Sequence, residues 1–297
     1  MTTDIATNQR ANLLGSLWMV ASMAAFAAED AFVKAASVAL PVGQILIIFG
    51  LGGVFVFTAL ALWKGDSLFV PEVVSPPMLV RVIFEITGRL FYVLAISLTA
   101  LSSTTVILQA TPLVVVAGAA LLFGERVGWR RWAAILIGLV GVVVIIQPGT
   151  NSFSAMSILA LVGMIGFAGR DLASRAAPAS LSTNILGVYG FLSVLFAGLI
   201  VSVWQDKAFV QPNAGVSLAL LGAILAGAVA YASLMKAMRT GEVSAVTPFR
   251  YTRLLFGVGL GVTVFGEQLS ASMLVGTCLI VLSGLFILWR GKQAADI

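Results

Sequence analysis

From Ala35 to Trp63 the chain carries no charged side chain, and further uncharged runs occupy 90–124, 132–169, 176–205, 208–235 and 268–289. A helix that crosses a bilayer needs about 20 consecutive, mainly apolar residues. A series of such runs therefore describes a membrane domain. Composition agrees: charged residues make up 10% of the 297 and the set AVILMFWYC 60%, where a soluble domain has roughly 25% and under half. With no histidine and one cysteine, Cys278, the chain can form neither an internal disulfide nor a zinc, haem or iron–sulfur site of the usual kind. No metal and no cofactor are expected. The net charge of +5 comes from Lys and Arg scattered in ones and twos, so no basic stripe suggests nucleic acid as a partner.

Two of the runs are too long for one helix. The first, 90–124, contains Leu101-Ser102-Ser103, and 132–169 is interrupted by Gln147-Pro148-Gly149-Thr150-Asn151, a turn sequence. Dividing them there predicts an all-α chain of ten spans, at 13–35, 42–64, 76–98, 102–123, 131–147, 154–176, 183–204, 215–238, 243–265 and 269–289. Arg10, the apolar stretch from Leu13 and the small residues Ala24-Ala25-Phe26-Ala27 imitate a signal peptide. The apolar stretch continues past that point, and residues 26–36 take part in an internal repeat, so this segment reads as the first span.

In the repeat, Phe26, Asp30, Lys34 and Ala35-Ala36 align with Phe167, Asp171, Arg175 and Ala176-Ala177. Further on, Ser102, Thr105 and Phe123-Gly124-Glu125 align with Ser244, Thr247 and Phe265-Gly266-Glu267, and Leu136-Ile137 with Leu279-Ile280. Collinear matches across both halves indicate duplication, with residues 1–150 as the first unit and 151–297 as the second. Five spans per unit is an odd number, so the second unit enters the membrane from the opposite side. Inverted repeats of this kind underlie many secondary transporters. Positive charge near span ends places Arg10, Lys64, Arg81, Arg130 and Lys236 inside and only Lys34 and Lys207 outside, with both termini cytoplasmic. Trp63, Trp129, Trp132, Trp204 and Trp289 lie near span ends, where an indole suits the interface.

Charges within the spans are the informative ones, because an ionised group in the bilayer centre needs a partner or water. Glu85, Arg89 and Tyr92 follow i, i+4, i+7 spacing and share a helical face. That face reads either as an intrahelical Glu85–Arg89 pair or as the wall of a wet cavity. Arg250 and Arg253 have no acid in their own span, so Arg253 is expected to meet Glu85 or a substrate carboxylate across the cavity. Glu29 and Asp30 are expected at the outer end of the first span, capping the interface, and Arg170 and Asp171 at the inner end of the sixth. Asp30 and Asp171 then lie too far apart for an aspartyl-protease dyad, and they double as candidate gates. Pro112 and Pro248 each remove a helical hydrogen bond and are candidate hinges. Gly257 and Gly261, and Gly163, Gly166 and Gly169, allow close helix packing. The sequence contains no GxSxG, Walker or HExxH pattern, so no enzyme is expected.

Two five-span units, each with a broken fourth span ending in Phe-Gly-Glu, resemble the drug/metabolite transporter superfamily, EamA-type group. The resemblance is greatest to bacterial inner-membrane amino-acid exporters of the YddG type. It implies an inner-membrane, multi-pass protein with an apolar central cavity, bordered by the spans that hold Glu85, Arg89, Gln109 and Arg253. The expected partners are a small-molecule substrate and the lipid bilayer. The expected activity is alternating-access export of neutral, hydrophobic or aromatic amino acids, with lipophilic-cation export or a passive channel as alternatives.

Overall fold

The computed structural model describes residues 2–124, 128–147, 154–178, 180–240 and 246–295. Among them all regular structure is helical: α1 (Thr2–Ser37), α2 (Val42–Trp63), α3 (Pro76–Leu98), α4 (Leu101–Leu108), α5 (Thr111–Phe123), α6 (Trp129–Ile146), α7 (Ser157–Ala176), α8 (Thr183–Gln205), α9 (Ala214–Thr240), α10 (Thr252–Phe265) and α11 (Ala271–Ala295). Short 3-10 turns precede α3 (Pro71–Val74) and α10 (Thr247–Tyr251). Most boundaries follow local chemistry. Proline begins α3, where its missing N–H costs nothing. The Ser182 hydroxyl caps α8 by accepting from the Ile185 amide at 3.2 Å. Gly124 and Gly266, aligned by the repeat, end α5 and α10 in the left-handed conformation at φ 66° and 63°.

Among the described residues six helical stretches are long and apolar enough to cross a membrane: Arg10–Ser37, Val42–Trp63, Leu101–Leu122, Ser157–Ser174, Thr183–Gln205 and Ala214–Ala237. The protein is thus an all-α, polytopic membrane protein. Of the expected interfacial indoles, Trp63, Trp129, Trp204 and Trp289 are exposed near helix ends, whereas Trp132 packs against the core. The turn expected at 147–151 lies outside the described residues from Pro148 onward, as do Glu125 and Ser244 of the repeat.

The main helix contacts join α1–α6 to α7–α11. Helix α1 packs on α9, α3 on α7, α2 on α8, α4 on α10 and α6 on α11. Glycine makes the tightest of these contacts possible. A Cβ on Gly166 would collide with the backbone of Gly88, one on Gly163 with the backbone of Tyr92, and one on Gly169 with the Phe84 ring. Gly257 does the same for α10 against Thr105 of α4, and a Cβ on Gly261 would collide with the Glu267 carboxylate beside Ser102.

A polar joint also ties the halves together. Glu267 accepts hydrogen bonds from the amides of Leu101 and Ser102, at 2.7 and 2.9 Å, which caps the start of α4. Lys34 donates to the carbonyls of Thr99 and Ile96, at 2.6 and 3.2 Å, and lies 3.6 Å from Glu267. Three acceptors hold the Lys34 ammonium against the bundle.

Candidate functional site

The expected fourth-span break is real and sits at Gln109-Ala110, between α4 and α5. Pro112 lies in the first turn of α5, where it has no amide to donate. The corresponding segment of the second half is the 3-10 turn Thr247–Tyr251, with Pro248 in its first turn. The side chain of Pro248 lies outside the described residues. The two breaks meet, since the Gln109 amide donates to the Arg250 carbonyl at 3.0 Å. The Arg250 carbonyl thereby gains a partner from the other half.

Beside this junction is a cavity of about 330 Å³, bounded by side chains of both halves. Its walls include Glu85, Arg89, Tyr92, Gln109, Pro112, Asp171, Arg250 and Arg253. Asp30 lies behind the wall, bonded to two of these residues. Along α3 the sequence Arg81, Glu85, Arg89, Tyr92 forms a ladder on one face, and all four groups border the cavity.

The ladder divides into two charge clusters. In the first, Arg89 pairs with Glu29 at 2.5 Å and lies over the Phe49 ring. Arg253 pairs with Asp30 at 2.6 Å, between the rings of Phe26 and Tyr92, and the Tyr92 hydroxyl donates to Asp30 at 3.0 Å. Two cations here balance two anions. In the second, Glu85 lies 3.6 Å from Arg81 and 3.4 Å from Arg170. Arg170 also binds Asp171 at 2.8 Å, and Arg250 approaches Asp171 at 3.5 Å. Arg81 donates through Nε to the Ser174 hydroxyl at 2.9 Å.

Several sequence expectations are corrected by this geometry. Glu85 and Arg89 do not form an intrahelical pair, because α1 and α7 bring Glu29 and Arg170 into reach and each takes one member. Arg253 meets Asp30, not Glu85. Glu29 and Asp30 are not interfacial caps, being only 1% exposed inside the bundle. Arg81, in the second turn of α3, is likewise buried, at 3% exposed. Asp30 and Asp171, expected at opposite ends, both reach the segment 250–253. Sequence reasoning passed over Arg81 and Ser174 as site residues and treated Arg170 as a span-end charge. A sequence signal existed for Arg81: it continues the α3 face at i−4 from Glu85.

The aromatic walls come from Phe26, Phe167, Phe191, Tyr92, Tyr231 and Tyr251. Such a surface suits a flat or apolar group, and the flanking charges suit a polar one. Among the described residues no group of acids, histidines or cysteines could hold a metal ion.

Comparison with known proteins places this architecture. The EamA-like transporter family matches residues 13–147 and, a second time, 154–289. The chain belongs to that family. Its members are transporters, not enzymes, so this is a multi-pass inner-membrane protein whose partners are a small-molecule substrate and the lipid bilayer. The riboflavin transporter of Vibrio cholerae is 30% identical over 63% of this chain, an alignment that spans 63% of that protein's length. An S-adenosylmethionine uptake transporter of Rickettsia felis is 24% identical over 70% of the chain and 69% of its own length. The pseudopaline exporter CntI of Pseudomonas aeruginosa is 28% identical over 91% of the chain and 94% of its own length. A solved crystal structure, 20% identical, superposes with a TM-score of 0.62 over 94% of this chain and 96% of that one. At that identity the likeness is one of fold.

Proposed function

We propose that this protein is a secondary transporter that exports neutral, hydrophobic or aromatic amino acids by alternating access. In this reading, the ten spans form two inverted five-span units, 1–150 and 151–297, that rock about the cavity with both termini cytoplasmic. One observation carries the reading: a cavity built by both halves offers both signs of charge beside aromatic walls. A zwitterion with an apolar side chain needs that combination. The exchange of contacts between halves, α1 with α9 and α3 with α7, supports a twofold relation between them. The double match to one family unit supports the duplication. Asp30, Pro112, Asp171 and Pro248 would supply the gates and hinges, and the YddG-type exporters are the proposed functional relatives. The named relatives include both uptake and export proteins, so direction needs its own measurement.

The test is reconstitution of the purified protein in liposomes. Saturable phenylalanine flux, accelerated by phenylalanine on the trans side, is expected. Linear flux that does not saturate would identify a channel. A parallel growth screen of expressing cells separates substrates, with resistance expected against toxic amino-acid analogues. Resistance to cationic dyes alone would overturn the amino-acid assignment.

A further inference from the structure

We propose that Arg81, Arg170 and Arg250 form the subsite for a carboxylate of the transported solute. This deepens the transport reading above and rests on it.

In the second cluster, three guanidinium groups face two carboxylates, Glu85 and Asp171. The acids of the first cluster are already taken, Glu29 by Arg89 and Asp30 by Arg253. Among the described cavity residues one positive charge is therefore unmatched, in a place where low polarity makes an uncompensated charge unfavourable.

Hydrogen bonding locates the subsite. Arg81 is buried and borders the cavity; its Nε is used by Ser174 and its Nη2 lies near Glu85, but its Nη1 has no hydrogen-bond partner. Opposite is Gly190 of α8, which offers no side chain and whose nearest neighbour in that direction is the Arg81 guanidinium. Arg170 is held by Asp171 and stacked over Phe167 at 4.8 Å. Arg250 is the most exposed of the three, with its side chain 29% accessible and only a 3.5 Å approach to Asp171. A planar monoanion suits these donors. Guanidinium forks bind carboxylates with paired hydrogen bonds, and one surplus charge matches a carboxylate better than a phosphate dianion.

The test uses thermal unfolding of the purified full-length protein in detergent with four probes: L-phenylalanine, 3-phenylpropionate, phenylalaninamide and phenethylamine. The two acids are expected to raise the unfolding temperature, and the amide and the amine are not. Arg250→Gln should weaken binding of the acids at least about tenfold, as loss of a charge-assisted hydrogen bond requires, and Arg250→Lys should retain part of it. Asp171 keeps Arg170 in these variants, so no buried acid is stranded. Equal stabilisation by acid and amide overturns the subsite, as does no shift with either acid, or acid binding unchanged in Arg250→Gln. Binding of 3-phenylpropionate but not phenylalanine would end the amino-acid reading and keep the subsite. Saturable phenylalanine transport in both the wild type and Arg250→Gln would keep the reading and end the subsite.

Discussion

Asp30 and Arg253 are separated by 223 positions in the sequence and by 2.6 Å in the structure. The pair joins α1 of the first half to α10 of the second, and the Tyr92 hydroxyl donates to the same carboxylate. It is a tie between halves at the edge of the cavity. Its loss would strand a charge inside the bundle, and an unpaired buried charge is far less tolerable than a pair or none.

A double-mutant cycle tests this tie. Asp30→Asn and Arg253→Leu should each lower stability by about 3–5 kcal/mol, the usual cost of stranding one partner of a buried pair. The double variant should lose clearly less than the sum. Arg253→Leu combined with Glu85→Gln should be additive, because Glu85 pairs with Arg81 and Arg170. Thermal unfolding in detergent reads all of these values. Additivity for Asp30 with Arg253 would mean that the two do not form a pair in the working protein.

Gly166 gives a second prediction. Its α-carbon faces Gly88 across the α3–α7 contact with no room for a methyl group, so Gly166→Ala must push the helices apart. A loss of about 1–3 kcal/mol is expected, as for other overpacked sites. The control is Gly259→Ala, where an added Cβ meets nothing within 4 Å and replacement of glycine in a helix should be neutral or favourable. Equal effects of the two substitutions would contradict the packing of α3 on α7.

The Glu267 cap gives a third, with a pH dependence. Burial acts to raise this carboxyl, but the donors from Ser102 and Leu101 and the Lys34 ammonium outweigh it and hold it below the usual glutamate range. A depressed folded-state value means that the stabilisation is present above the unfolded value of about 4.3 and is lost as pH falls through the lowered one. Glu267→Ala should cost about 0.5–2 kcal/mol at neutral pH, as for other helix caps. The gap between wild type and variant should shrink below about pH 4. Unfolding temperatures measured from pH 7 to pH 3 would show this, and a gap independent of pH would refute the cap.

How far the sequence could be read is clearest along α3. Its range, 76–98, was legible because prolines open it and its apolar spacing continues to Leu98. So was the polar face of Glu85, Arg89 and Tyr92, since helical geometry fixes which side chains share a side. The partners were not legible. An i, i+4 acid and base look like a pair until a neighbouring helix offers something nearer, and here α1 offers Glu29 while α7 offers Arg170.

The sequence by itself determined the helical class, most helix ends, the doubled pattern and the residues that could not face lipid. Those properties depend on backbone hydrogen bonds closed within a segment, on proline and glycine at particular positions, and on how many charges a span can carry. Only the tertiary structure decided that Gln109 meets Arg250, that Arg81 belongs to the cavity, and that Asp30 takes Arg253 while Glu85 takes Arg170. A guanidinium on a long flexible stem can reach several carboxylates. Which one it binds depends on the rotation and depth of helices packed from the opposite half, and no local spacing encodes either.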